Sequence, residues 1–299
     1  MKIIQLEQNG LNDFTSYCRL RRPDVDESFL YEKDLAELAI GPENPTVLAV
    51  DDGGAVIGAG SLVLSEHMRR GNRARVRILH AEEGRQDAYE GMFQALLPTL
   101  TGLGALYAYA PDRNRAQMEA FARLGFVVDR YSFFMVREPM PVPDVALPEG
   151  FAIEPCAEGR DEQHWCDVRN AAFATLRGSE TPITAQMAAR SMFGGGALPG
   201  GALMLRHHGE PVGVVRVGED ELDGQPVAEV GPLAILPGWQ NKGLGRMLLR
   251  AALRRAAECG FGRVVLCVNA ENERAAGLYE KEGFRRHEVA VCYRYDLAQ

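Results

Sequence analysis

The chain has 299 residues, of which 46% are hydrophobic and 25% are charged, and its formal net charge is −8. This is the composition of a globular protein long enough for two domains of about 150 residues each. The acidic balance argues against nucleic-acid binding, which requires a basic surface. The six cysteines are scattered without a C-x-x-C pair, which favours a reduced, cytoplasmic protein without a metal site.

Residues 1–138 show strand and helix patterns in a regular order. The segment 1–7 alternates like a strand and lacks the apolar core of a signal peptide, and no uncharged apolar run of the chain reaches membrane-spanning length. Apolar periodicity predicts the elements that follow. These are a hairpin of strands 46–50 and 55–64, a strand at 74–79, a helix at 87–97, a strand at 105–110 and a helix that runs from Asn114 to Gly125.

A proline-dense segment, residues 139–150, follows the first group of elements. Each proline fixes φ and removes a backbone donor, so the segment is predicted to be an extended linker. We therefore expect a first domain at 1–138, a linker at 139–150 and a second domain at 151–299.

The second half continues with the same kinds of element. Its patterns predict a strand at 151–154, helices at 161–174 and 184–192, strands at 202–206, 212–217 and 227–235, a helix at 241–259, a strand at 263–268, a helix at 273–282 and strands up to 297.

The two halves share one spacing of residues. In each half an Asn lies seven residues before an aromatic residue and eleven before a Gly-Phe pair, and the two sets are 158 residues apart. The matched positions are Asn114, Phe121, Gly125 and Phe126 in the first half and Asn272, Tyr279, Gly283 and Phe284 in the second. Two unrelated amphipathic helices that end at a glycine cap are the alternative. Because the order of the strands before them also matches, we interpret the pattern as a duplication.

Two motifs in the second half point to a phosphorylated cofactor. Gln240-x-x-Gly243-x-Gly245 is a glycine-containing loop before a helix, where backbone N–H groups and the helix dipole favour an anion. A P-loop would need Lys-Ser/Thr where Leu244-Gly245 stand, and a dinucleotide fingerprint would need a third glycine at Leu248. The second motif is Asn272-x6-Tyr279-x3-Gly283-Phe284.

Together these motifs resemble those of the GNAT superfamily of acyl-CoA N-acyltransferases, most clearly over residues 212–297. The resemblance implies an α/β fold with two tandem GNAT-like domains. Each domain is expected to be a twisted mixed sheet with a splayed central strand, flanked by helices. Gly231-Pro232 interrupts the strand at 227–235, where the family has the bulge that splays this strand from its neighbour.

The resemblance also implies acetyl-CoA as the acyl donor. The pantetheine arm is expected to hydrogen-bond the backbone of Leu233, Ala234 and Ile235. The pyrophosphate is expected at the loop and helix start, formed by Gln240, Asn241, Lys242, Gly243, Leu244, Gly245 and Arg246. For Lys242 and Arg246 the alternative is a solvated side chain at a helix end. Asn272 is expected either to bind the cofactor or to cap its helix.

The family reaction is direct attack by an amine on the thioester in a ternary complex. Tyr279 is the expected acid for the departing thiolate, the alternative being an aromatic residue packed in the core. Glu229 is the candidate base, with an exposed or salt-bridged strand carboxylate as the equal alternative. Some relatives carry a Glu where this chain has Cys267, which leaves that version of the mechanism in doubt. The N–H of Ile235 is the expected donor to the carbonyl oxygen.

The first half departs from this pattern, because Phe121 has no hydroxyl and residues 83–90 contain no G-x-G. We expect a degenerate, non-catalytic copy. The predicted function is an N-acetyltransferase that acts on a primary amine of a small molecule, in a monomer or homodimer without nucleic-acid or membrane partners. The alternatives are an acyl-CoA-binding sensor without turnover and a protein or peptide N-acetyltransferase.

Overall fold

The fold was analysed in a computed structural model, which describes residues 1–297 with the exception of the Asn9 side chain. The chain divides into two compact units. The first unit contains Met1–Phe133, Asn269–Glu271 and the chain from Glu288 onward. The second contains Phe134–Val268 and Asn272–His287.

The secondary structure of residues 1–297 consists of both strands and helices. The strands are β1 (Lys2–Gln5), β2 (Thr46–Val50), β3 (Val56–Val63), β4 (Arg73–Ala81), β5 (Ala105–Pro111), β6 (Val127–Arg137), β7 (Phe151–Pro155), β8 (Ala197–His207), β9 (Glu210–Leu222), β10 (Gln225–Ile235), β11 (Val264–Asn269) and β12 (Arg285–Asp296). The α-helices are α1 (Leu11–Arg21), α2 (Glu32–Ala36), α3 (Glu66–Arg70), α4 (Gln86–Leu96), α5 (Arg115–Arg123), α6 (Glu162–Phe173), α7 (Ala185–Phe193), α8 (Leu244–Glu258) and α9 (Glu273–Lys281).

The sheet of the first unit follows the order β1-β2-β3-β4-β5-β12. Its neighbours are antiparallel except for β4 and β5, which are parallel and pair only from Arg73↔Ala105 to Arg75↔Tyr107. A bulge lies in β4 where its register with β3 shifts. Beyond the bulge, β4 continues to Ala81 without pairing to β5, so the two strands separate towards their carboxyl ends.

The second unit repeats this arrangement, with β7, β8, β9 and β10 antiparallel and β10 parallel to β11. The β10–β11 pairing is limited to Ala228↔Val264 and Glu229↔Val265. The register of β10 with β9 shifts between Val230 and Leu233. Pro232 has no N–H to donate, so the ladder cannot continue evenly through this point. The expected fold class, including the splayed strand, is confirmed.

Each unit has its own apolar core. In the first, residues of α4 and α5 such as Met92, Phe93 and Phe121 are buried against the sheet. In the second, Trp165 and Met192 pack on the strands from one side. In α8, Leu248, Leu249 and four further apolar residues are buried. The helices therefore flank each sheet because their apolar faces have a period of 3.6 residues.

The boundaries of the two compact units differ from those of the two sequence halves at strands β6 and β12. Strand β12, the last of the chain, pairs with β5 from Ala290↔Pro111 to Asp296↔Ala105 and belongs to the first unit. Residues 134–137 of β6 belong to the second unit, where Val136 packs with Val227 and Val265. The assignment of catalysis to residues 151–299 stays a prediction. Among the described helices, none has the length and apolar character needed to cross a membrane.

Candidate active site

The loop before α8 presents a row of backbone donors. Asn241 and Gly243 adopt left-handed conformations with φ of 64° and 77°, and α8 begins only at Leu244. The predicted helix start at Asn241 is therefore wrong by three residues, because a left-handed residue cannot continue an α-helix. The N–H groups of residues 241–245 have no hydrogen-bond acceptor in the described part of the chain. Such free donors at the start of a helix form an anion site.

Three elements meet at Gly245 in the first turn of α8. A Cβ placed on Gly245 would lie 3.8 Å from the side chains of Leu233 and Leu278 and 3.9 Å from that of Ile235. The loop before α8, the end of β10 and the helix α9 therefore border the same space. The structure thus brings together the predicted cofactor-binding residues of the strand and the loop.

The end of β10 exposes one backbone edge. Because Leu236 donates its N–H to Val212 on β9, the alternation of an antiparallel pair turns the N–H and C=O of Ile235 away from β9. On that side β11 has already separated, and the carbonyl of Ile235 accepts a hydrogen bond from Nε2 of Gln240 at 3.0 Å. The N–H of Ile235 points into the gap. An extended ligand can add to this edge as a further strand.

Helix α9 carries the predicted acid. Asn272 caps the helix, because its Oδ1 accepts a hydrogen bond from the N–H of Ala275 at 3.2 Å. Of the two roles expected for Asn272, the structure shows the cap. Tyr279 is 8% exposed and packs edge-on against Phe284, with ring centroids 5.9 Å apart. Its hydroxyl makes no hydrogen bond within residues 1–297. Burial raises the pKa of Tyr279 to about 12, so the phenol keeps its proton at neutral pH.

Glu229, the candidate base, lies where β10 and β11 still pair. Its Oε2 is 3.2 Å from Nη1 of Arg216 on β9, and the side chain of Glu229 is 37% exposed. Arg216 is further held by the carbonyl of Ser191 at 2.6 Å. Glu229 thus matches the salt-bridged alternative, while its exposure leaves it open to a substrate. Cys267 lies two residues beyond Val265, the partner of Glu229, and is exposed where β10 has left β11.

The basic residues predicted for the pyrophosphate have partners of their own. The ammonium of Lys242 lies 4.7 Å from the ring centroid of Trp239. Arg246 is 3.2 Å from Glu282, whose side chain is only 3% exposed. Within residues 1–297, no group of three or more His, Cys, Asp or Glu side chains is arranged to hold a metal ion.

Comparison with known proteins assigns this geometry to a family. Residues 165–284 match the model of the Acetyltransferase (GNAT) family. The fold is similar to that of a GCN5-related N-acetyltransferase from Sphaerobacter thermophilus, with a TM-score of 0.71, 18% identity and coverage of 98% of this chain and 95% of that one. It is also similar to a tandem GNAT protein from the clavulanic acid biosynthesis pathway, with a TM-score of 0.70, 16% identity and coverage of 100% and 99%.

The chain belongs to the GNAT superfamily. It carries two GNAT-like domains, and it is an acetyltransferase. Among curated relatives, the mycothiol acetyltransferase of Paenarthrobacter aurescens (strain TC1) is 28% identical over 92% of this chain and 78% of that protein. The mycothiol acetyltransferase of Frankia alni is 32% identical over 58% of this chain and 55% of that protein.

The first GNAT-like unit has the same scaffold as the second but different side chains at two of the predicted site positions. Asn114 caps α5 by accepting from the N–H of Gln117 at 3.0 Å, as Asn272 caps α9. Phe121 stands at the position of Tyr279 and is completely buried. Since α4 and α8 start 158 residues apart, Asp87 occupies the position of Gly245. The Asp87 carboxylate pairs with Arg85 at 3.0 Å, so an acidic side chain fills the first turn.

Sequence reasoning missed several residues that hold this GNAT site in place. Arg274 donates to Oδ1 of Asn241 at 2.9 Å and to Oε1 of Gln240 at 3.1 Å, and so ties α9 to the loop. Arg250 makes a bidentate pair with Glu282 at 2.8 and 2.9 Å. These contacts join residues that are more than thirty positions apart, and no local motif announces them.

We expect the buried carboxylate of Glu282 to contribute to folding stability rather than to cofactor affinity. Glu282→Gln should lower the free energy of unfolding by about 2 kcal/mol, because Arg250 and Arg246 lose a buried anionic partner and are themselves partly exposed. Acetyl-CoA affinity should hold or rise, since Arg246 is released. Urea unfolding and calorimetric titration measure the two effects. Glu280→Gln, which breaks an exposed pair with Arg286, is the control and should change stability by less than about 1 kcal/mol.

Proposed function

We propose that the second unit binds acetyl-CoA and transfers its acetyl group to the primary amine of a small molecule. The observation that carries this proposal is the set of five free N–H groups at 241–245 beside the open edge of β10. Glycine at 245 leaves the approach to these donors clear, and the helix dipole adds positive potential. The residues present therefore suit a pyrophosphate followed by an extended amide-bearing arm.

Each step of the transfer has a candidate residue in this unit. The N–H of Ile235 lies on the open edge, where it can donate to the thioester oxygen. Tyr279 holds a proton that it can give to the departing thiolate. The acceptor must lose a proton before it attacks, because an alkyl ammonium with a pKa of about 10.4 is protonated at neutral pH. Glu229 can take this proton directly or through water.

The relatives support a small acceptor, because curated proteins that match most of this chain are named mycothiol acetyltransferases. We propose the acceptor of those enzymes as the first amine to test. A cytoplasmic location agrees with the six cysteines, none of which forms a disulfide bond within residues 1–297.

Turnover of an amine panel with acetyl-CoA is the experiment that tests this function. Mass spectrometry should detect an N-acetylated small molecule together with stoichiometric free coenzyme A. Tight acetyl-CoA binding without any product across the panel would favour a sensor. Acetylation of peptides but of no small amine would favour a protein acetyltransferase.

We expect one acetyl-CoA site per chain. In the first unit the Asp87 carboxylate stands where the second has Gly245, and Gln117 donates to the carbonyl of Leu79 on the splayed strand at 3.2 Å. That hydrogen bond uses a backbone acceptor that a pantetheine amide would need. Isothermal titration should give a stoichiometry of one, and two equivalent sites would contradict the proposal that the first unit is degenerate.

We expect Glu229→Gln to lower kcat/KM by about 10²–10⁴-fold and to remove the acidic limb of its pH profile, because the amide cannot accept the proton. Glu219→Gln is the matched control, since Glu219 is an exposed carboxylate on the neighbouring strand β9. Steady-state kinetics across pH are the measurement. A pH profile that keeps its shape would assign Glu229 to the Arg216 salt bridge alone.

A further inference from the structure

The first unit contains a cavity of about 650 Å³ where β4 and β5 have separated. Its inner wall is formed by His80 and Ala81 at the end of β4, Tyr89 of α4, and Gln117 and Ala120 of α5. This volume is within the range of small-molecule sites. The expected site residues of the chain all lie in the other unit, so this cavity has no role in the proposed transfer.

Two buried polar side chains at the wall have unused hydrogen-bonding capacity. His80 is 8% exposed and makes its hydrogen bond through Nδ1, which is 2.8 Å from the hydroxyl of Tyr17. Burial lowers the pKa of His80 to about 4, so the imidazole is neutral at pH 7. Gln117 is 2% exposed, and its Oε1 has no partner within residues 1–297. An unsatisfied buried acceptor destabilises the fold, and a donor from a ligand would remove that cost.

The charges around the cavity leave a negative excess. Each of the four arginines at the rim has a carboxylate partner. The pairs are Arg21–Glu82 at 3.3 Å, Arg85–Asp87 at 3.0 Å, Arg123–Glu119 at 4.0 Å and Arg113–Glu288. The carboxylates of Asp24 and Glu83 also line the cavity, and neither has an ion-pair partner in the described chain.

The electrostatics are therefore the reverse of those at the loop before α8 in the second unit. Asp87 already faces the N-terminal end of α4, where an anionic ligand would otherwise be attracted. His80 is neutral and adds no positive charge, and every lining guanidinium is neutralised. An anion would meet the carboxylates of Asp24 and Glu83 without compensation, whereas a cation would be attracted to each of them.

We propose that this cavity is a binding site for a small organic cation, a primary ammonium compound with neighbouring hydrogen-bond donors. The ammonium is attracted to Asp24 and Glu83, a donor satisfies Oε1 of Gln117, and a hydroxyl or amine of the ligand can hydrogen-bond the second ring nitrogen of His80. Amino sugars and linear polyamines share this chemistry. The site is separate from the proposed acetyl transfer and does not depend on which amine the second unit accepts.

Titration calorimetry with glucosamine and with spermidine, at millimolar concentration and saturating acetyl-CoA, tests the proposal. The variant Asp24→Asn/Glu83→Gln should bind the preferred amine about tenfold more weakly than the wild type. Asp13→Asn/Glu66→Gln removes two exposed carboxylates outside the cavity and should leave the affinity unchanged. Circular dichroism checks that both double variants fold, and acetyl-transfer rates should be equal in the two.

A second readout locates the amine. The chain has six histidines, so the ring resonance of His80 can be assigned by its loss in His80→Asn. In the wild type this resonance should shift on saturation with the amine and remain in place with phosphate or ADP. Equal affinity in both double variants, a His80 resonance that does not move with either amine, or a shift caused by ADP instead would each overturn the proposal.

Discussion

Tyr279→Phe should lower kcat by about 10²–10⁴-fold while acetyl-CoA affinity stays within a factor of about two, because general acid catalysis has this magnitude when chemistry limits the rate. The substitution keeps the ring and its contact with Phe284. Since the hydroxyl has no partner within residues 1–297, its removal breaks no hydrogen bond that supports the fold. Steady-state kinetics and titration calorimetry give the two values.

The pH profile adds a check on the role of Tyr279. Burial raises the pKa of the phenol to about 12, so the wild type should keep its acid form up to at least about pH 10. Tyr131→Phe, at a tyrosine that is 47% exposed, is the control for loss of a hydroxyl. An unchanged kcat in Tyr279→Phe, under conditions where product release does not limit the rate, would reduce Tyr279 to a packing residue and favour the sensor.

The sequence predicted those parts of the fold that depend on nearby residues. Both helices lie where their motifs indicate, each ending near a left-handed glycine, and the cap at Asn272 is one of the two roles expected for that residue. The Gly231-Pro232 bulge was predictable for the same reason, since proline cannot donate to the ladder whatever surrounds it.

The features that the sequence did not predict depend on contacts between residues far apart in the chain. Strand β12 pairs with β5, whose residues lie 179 to 191 positions earlier in the chain, and no local pattern in β12 indicates that partner. Helix α1 was not predicted because only a few of its residues are buried, and β6 begins with two exposed valines that obscure its alternation. The pairing of Arg216 with Glu229 follows from the β9–β10 register, which the sequence alone does not fix.

The two units share one scaffold but differ at the helix start and at the strand edge. Both keep a splayed strand, a helix that begins beside it and an Asn-capped helix next to that. In the first unit Asp87 occupies the helix start and Gln117 occupies the strand edge. The fold accommodates both side chains, because Asp87 is exposed and the buried amide of Gln117 donates to the carbonyl of Leu79.

Gly245→Asp should therefore weaken acetyl-CoA binding by about 10²–10³-fold, since it gives the second unit the acidic residue that the first already has. Two like charges about 4 Å apart repel by about 4 kcal/mol at an effective dielectric constant near 20, and each 1.4 kcal/mol is a factor of ten. The fold should survive, because the new Cβ would meet its nearest neighbours at 3.8 Å, an ordinary contact distance. Calorimetric titration and thermal unfolding measure affinity and stability separately.

Two matched variants separate charge from bulk. Gly245→Asn has the size of aspartate without its charge, so its affinity should lie well above that of Gly245→Asp. Gly245→Ala adds only the Cβ and should stabilise α8 by up to about 1 kcal/mol, because alanine is the stronger helix former. If the Asp variant binds acetyl-CoA within threefold of the wild type, the N–H groups of residues 241–245 do not hold the pyrophosphate. In that case the open edge of β10 alone would have to account for cofactor binding.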